Sequence, residues 1–103
     1  MKVYISGPIS GVSEYESMAA FNDAENKLVA AGCQVVNPRM ITRWGLTWDT
    51  YMQIAEAVLY SGEIDAVLML RGWQQSKGAC IEKVWANAKG IQVIYQGGGE
   101  NDQ

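Results

Sequence analysis

With 103 residues the chain has room for one hydrophobic core, and at 49% apolar residues it has the material to build it. Eight basic residues against eleven acidic ones leave a net charge of −3, without two adjacent Lys or Arg, so the basic footprint of a duplex nucleic-acid binder is missing. No apolar run approaches the ~20 residues that span a bilayer. Histidine is absent, and the two cysteines, Cys33 and Cys80, form neither a disulfide framework nor a metal motif. Ser/His and Cys/His catalysis and most zinc chemistry are thereby removed. Carboxylates, hydroxyls, tyrosines or lysines are left to do any acid–base or nucleophilic work. The first apolar stretch breaks at Gly7-Pro8, too early for a signal peptide. The expectation is a cytoplasmic protein without membrane or metal, its cysteines buried and reduced.

In chain order, residues 2–6 read as a strand ended by the turn residues Gly7-Pro8. Ser13 and Glu16 have the spacing of a capping box. The helix they open should run to Ala31, with Ala20, Phe21, Ala24, Leu28 and Ala31 as its apolar stripe and Gly32 as its stop. Residues 33–36 form a second strand before Asn37-Pro38, and residues 39–46 read as a loop. Thr47 caps a second helix over residues 48–60, with Met52, Ala55 and Leu59 inward. The third strand, residues 65–70, is continuously apolar, as a strand buried on both faces should be. A third helix spans residues 78–89 with Ile81, Val84, Trp85 and Ala88 on one face, Gly90 stops it, and residues 92–95 make a fourth strand.

This βαβαβαβ order predicts an α/β fold: a small doubly wound, Rossmann- or flavodoxin-like parallel sheet of about four strands with three helices. Residues 1–96 would form the domain and residues 97–103 a flexible polar tail. Among compact arrangements, strand order 2-1-3-4 sets the loops over residues 7–13 and 71–78 side by side at the switch point, where open α/β sheets bind their ligands.

Two segments carry chemistry there. In Gly7-Pro8-Ile9-Ser10-Gly11, two glycines allow close backbone approach, and Ser10 with nearby N–H groups suits a phosphate or sugar hydroxyl. The same residues also fit an ordinary strand-to-helix turn. Ser76, Lys77, Gly78 and Glu82 follow the third strand where a helix begins, so a hydroxyl, backbone amides and a carboxylate gather at a positive helix end. A carboxylate in that position is expected to stay ionised, which suits a nucleophile or a stabiliser of positive charge. It could equally do no more than complement the helix dipole. Trp44, Trp48 and Trp73 lie in or beside loops, where they could stack on a base, close the core or form an oligomer interface. Glu56 reads as a solvated helix residue unless the N-terminal half of its helix lines the site. Asn37 and Arg39 follow the second strand at the functional edge, where Asn37 either binds or only shapes its Asn-Pro turn. Asp65 sits at the far end of the sheet.

These residues resemble the nucleoside 2-deoxyribosyltransferase-like superfamily, and within it the small, mostly phage-associated proteins of the DUF4406 type. The likeness rests on Val3-Tyr4-Ile5-Ser6-Gly7-Pro8-Ile9-Ser10-Gly11, Val36-Asn37-Pro38, Trp48-Asp49-Thr50-Tyr51-Met52, Asp65 and Gly72-Trp73 through Glu82. Its most specific part is Ser-x-Gly-Ala-x-x-Glu. The resemblance implies that Glu82 attacks the anomeric carbon of a nucleoside or nucleotide, that Ser76 contacts sugar or phosphate, and that Tyr4 and Gly7 to Gly11 line the pocket. It implies no metal or organic cofactor, a homo-oligomer, and a mechanism like that of a retaining glycosidase. Relatives also carry a helix aspartate that assists the leaving base. Here that position is Ala57, with Glu56 beside it.

The leading expectation is an N-glycosidase or deoxyribosyltransferase-like enzyme. Glu82 would be its nucleophile and Glu56 a candidate acid. Tyr4, Gly7, Pro8, Ile9, Ser10, Gly11, Asn37, Trp73, Ser76 and Gly78 would bind the substrate. The alternative is a nucleotide-binding or sensing module with little or no turnover. A third reading, an oligomeric scaffold, predicts Trp44 and Trp48 between subunits and a closed pocket.

Overall fold

Four strands pair in the order β2-β1-β3-β4, all parallel. They are β1 (Lys2–Ser6), β2 (Gln34–Val36), β3 (Ala66–Met69) and β4 (Gln92–Tyr95), interleaved with α1 (Glu14–Ala30), α2 (Arg39–Thr42), α3 (Trp48–Leu59) and α4 (Lys77–Ala88). The computed structural model describes residues 1–97, so the expected polar tail, Gly97 aside, lies outside the described residues. None of the helices described is long and apolar enough to cross a membrane.

Alternation along β1 decides which layer each residue serves. Ile5 points to the α1 side and packs with Phe21, Ala24 and Leu70. Tyr4 points to the other side and packs with Ala55 and Leu59 of α3 and Ala79 and Ala86 of α4. The central strands are therefore covered on both faces, and full burial of one such apolar side chain contributes about 1.5–3 kcal/mol.

Helix starts follow the side-chain caps. Ser13 accepts from the Glu16 N–H, Thr47 from the Thr50 N–H, and Ser76 from the Ala79 N–H. The last of these begins α4 one residue earlier than expected.

Four expectations change. Residues 39–42, read as loop, form the single turn α2, because the Asn37 side chain accepts from the Arg39 N–H at 3.0 Å. In α1 the buried line is Ser17, Phe21 and Ala24, while Ala20 and Ala31 are exposed. Ser17 is held inside by donating to the Pro8 carbonyl at 2.9 Å. In α4 the fully buried residues are Ala79, Glu82 and Ala86; Ile81 and Trp85 are half-buried, Ala88 is exposed, and Val84 is 63% exposed. Two alanines let the helix lie close to the sheet, and Glu82 faces hydroxyls on β1. Both cysteines are free, as expected, but only half-buried.

Candidate functional site

Because β1 and β3 are neighbours whose chains leave in opposite directions across the sheet, their C-terminal loops open one crevice. A cavity of about 580 Å³ lies there, within the range of small-molecule sites. Gly7, Ile9, Ser10 and Gly11 line it from the first loop, and Gln75 to Ala79 with Glu82 from the second. The two segments read from the sequence thus meet in one cavity. Gly7 is required by close approach: a Cβ there would lie 2.8 Å from Leu70 Cβ. A Cβ on Gly78 would meet Met52 Sδ at 3.4 Å and Trp48 Nε1 at 3.7 Å, an ordinary contact.

Glu82 reaches the cavity from beneath and is only 3% exposed. Tyr4 Oη donates to its Oε2 at 2.6 Å, and Ser6 Oγ donates to its Oε1 at 2.6 Å. Positions 4 and 6 share one face of β1, so a single strand supplies both donors. The carboxyl does not keep the ordinary acidity expected of it. Burial pushes its pKa up to about 7, against the lowering effect of the Ser6 and Tyr4 hydroxyls. Glu82 lies beyond the first turn of α4, where the helix dipole has faded. Burial, followed by the charge of Glu82, also pushes the phenols of Tyr4 and Tyr51 up, so both stay protonated donors.

The opposite wall comes from α1, α2, α3 and the segment that joins the last two: Glu14, Arg39, Ile41, Thr42, Leu46, Trp48 and Tyr51. Arg39 is 2% exposed and its Nη2 donates to the carboxylate of Glu14, a residue that is 78% exposed. Its Nε lies 3.1 Å from Met18 Sδ. Trp48 is partly exposed at the rim, with Lys77 Nζ 5.0 Å from its ring centroid.

Several expected site residues lie elsewhere. Glu56 is exposed and does not line the cavity. On α3 the cavity side is set by Trp48 and Tyr51, and position 56 is turned about 140° from position 51. Ala57 is no closer, since it lines a separate shallow depression with Lys2, Val36 and Ile64. Trp73 is a core residue packed near Tyr95, not a wall of the cavity. Asn37 is buried behind the cavity, donating to Glu25 at 2.8 Å and to Asn22 at 3.3 Å while it braces Arg39. Pro8 lies beside the lining loop without lining it, and Tyr4 sits under Glu82. Asp65 holds the Lys2 N–H at 2.7 Å at the far end of β1, as its place in the sequence implied. Trp44 and Trp48 are exposed on the single chain, and the cavity is open where the scaffold reading expected a closed pocket.

Ser6, Glu14, Arg39 and Tyr51 are among the residues that sequence reasoning left without a role, as are the wall residues Ile41, Thr42 and Leu46. Ser6 was readable from its two-residue spacing to Tyr4. Tyr51 was readable from the Tyr51–Ala55 spacing on α3. Arg39 was legible only as a residue of the functional edge, where it does line the cavity; nothing in the sequence signalled its burial.

No curated protein and no solved structure matches the chain. A family model described as Domain of unknown function (DUF4406) matches residues 1–95, nearly the whole length that builds the sheet and the cavity, and the chain belongs to that family.

Proposed function

We propose that the protein cleaves or transfers the N-glycosidic bond of a free nucleoside or nucleoside monophosphate, with Glu82 as nucleophile. One observation carries this reading: a buried carboxylate at a nucleoside-sized cavity, each of its oxygens held by a hydroxyl donor at 2.6 Å. Two such donors fix the carboxylate's direction and favour its charged form, which burial alone would suppress. Attack on the anomeric carbon gives a glycosyl ester and frees the base; water or a second base then takes the sugar. Ser76, Ser10 and the loop amides hold sugar or phosphate. Ile9, Ile41, Leu46 and Trp48 supply the apolar wall for the base, the part first expected of Trp73. The reading needs no metal or organic cofactor, and it places a second copy of the chain over the exposed rim at Leu46 and Trp48.

Base release from a panel of 2′-deoxynucleosides and their 5′-monophosphates, followed by chromatography, tests it. At least one substrate should be turned over, and Glu82→Gln should abolish that turnover. A panel with no turnover would overturn the reading. The positions of Glu56 and Ala57 favour one alternative, a nucleotide-binding module without turnover, since neither residue reaches the cavity as an acid. Tight calorimetric binding without product would support that alternative.

A further inference from the structure

Arg39 is an expensive residue to bury for what it does in the unliganded protein. Its guanidinium has five N–H donors. One goes to Glu14 and one to Met18 Sδ, which leaves three without a partner among the described residues. Ion pairs with a partner as exposed as Glu14 contribute little to stability, while burying the charge is costly. Stability therefore does not account for Arg39, yet the fold braces it through Asn37, which is itself held by Glu25. It also lines the cavity, two residues before Ile41 of the apolar wall. Ser76, past the end of β3, stands on the other side of β1 from Arg39, past the end of β2. Both line the one cavity, so a ligand held there meets Arg39 and Ser76 together.

Besides Arg39, four titratable side chains line the same cavity, Glu14, Tyr51, Lys77 and Glu82, and Lys77 Nζ lies over the Trp48 ring at the rim, 5.0 Å from its centroid. Glu82 is assigned to attack. Tyr51 holds its proton too tightly to be an efficient acid. Glu14 serves Arg39 as an acceptor. An arginine does not protonate a leaving group, but it stabilises one that leaves as an anion.

We infer that Arg39 carries the charge of the departing base, and that the substrates are nucleosides of lactam bases such as uracil and thymine. This rests on the glycosyl-transfer reading above. As the bond from a Glu82 oxygen to C1′ forms, the C1′–N1 bond breaks and its electron pair passes to the base. In a uracil ring that pair spreads over N1, O2 and O4, the acceptors a guanidinium fork meets. The free base takes its proton from water after it has left. Cytosine, with one ring carbonyl, gains less from the same donors.

The test compares base release from 2′-deoxyuridine 5′-monophosphate, its 5-fluoro derivative and 2′-deoxycytidine 5′-monophosphate, by the wild type and by Arg39→Met, Arg39→Lys and Glu14→Gln. The wild type should prefer uracil over cytosine by about 10²-fold, the scale of one transition-state donor. Arg39→Met should lose most of that ratio and respond more strongly to 5-fluorination, Arg39→Lys should keep part of it, and Glu14→Gln should retain it. A ratio taken within one preparation is unaffected by the fraction of a variant that folds. An Arg39→Met ratio equal to wild type would overturn the inference and leave the glycosyl-transfer reading standing. So would wild-type release of cytosine as readily as uracil, or loss of all turnover in Glu14→Gln, which would make Glu14 the acid. A wild type that releases no base overturns both.

Discussion

Tyr4 and Glu82 are 78 residues apart in sequence, yet the phenol of one donates a 2.6 Å hydrogen bond to the carboxyl of the other. The contact joins the central strand to the helix that closes the cavity, so the sheet and the candidate chemistry depend on the same pair. Its loss should be felt in both.

In Tyr4→Phe, Glu82 keeps only the Ser6 donor. A hydrogen bond to a charged group contributes about 1.5–3 kcal/mol, and chemical denaturation at pH 8 should show a loss of that size. The carboxyl should also become harder to ionise, so the acid limb of any pH–rate profile moves upward. Ser6→Ala should behave alike, because each oxygen of Glu82 has one of these two donors.

The raised pKa of Glu82 has a definite sign for stability. The carboxyl binds its proton more tightly in the folded protein, with a pKa of about 7, than at its ordinary value of 4.5. Its favourable contribution is full below pH 4.5 and is lost as pH rises to about 7. The span corresponds to about 3 kcal/mol. Glu82→Gln should therefore flatten the stability profile across that window and leave the variant more stable than wild type at pH 8. Thermal unfolding from pH 4 to 8 measures it. The same value places the acid limb of kcat/KM for the free enzyme near pH 7.

Gly7 and Gly78 both line the cavity but should tolerate alanine very differently. The 2.8 Å approach to Leu70 leaves Gly7→Ala no space, and overpacking of that kind costs about 1–3 kcal/mol. Gly78→Ala, in ordinary contact with Met52 and Trp48, should stay within about 1 kcal/mol of wild type. Paired urea titrations settle the contrast.

Two substitutions separate core from cavity. Trp73→Phe should cost on the order of 1–2 kcal/mol of stability through lost apolar burial and leave KM unchanged. Trp48→Ala, at the rim, should raise KM with little effect on melting temperature. Glu56→Gln should alter neither quantity, since that carboxylate is exposed and away from the cavity.

How far the sequence led depended on how local each signal was. The strands and the three longer helices were legible because caps, glycine stops and apolar periods are short-range, and the 2-1-3-4 order then brought Gly7 to Gly11 and Ser76 to Glu82 together. The face of α4 was misread because hydrophobicity alone favours Ile81, Val84, Trp85 and Ala88. What turns the helix is a polar contact from Glu82 to β1, invisible in any window of the chain. Trp73 looked like a loop residue because the 3₁₀ turn that folds it under the sheet edge is only three residues long. Arg39 could not be recognised as buried, because its burial depends on a one-turn helix and on Asn37, Glu25 and Glu14 converging from separate segments. The ionisation of Glu82 was misjudged for a related reason: helix position was legible and depth of burial was not.

The most direct measurement is covalent trapping. Incubation with a 2′-deoxy-2′-fluoro nucleoside that the protein accepts should slow hydrolysis of the glycosyl ester, and mass spectrometry of the digested protein should locate the sugar. The account predicts one adduct on Glu82 and none in Glu82→Gln. An adduct on any other residue, or base release that survives in Glu82→Gln, would contradict it.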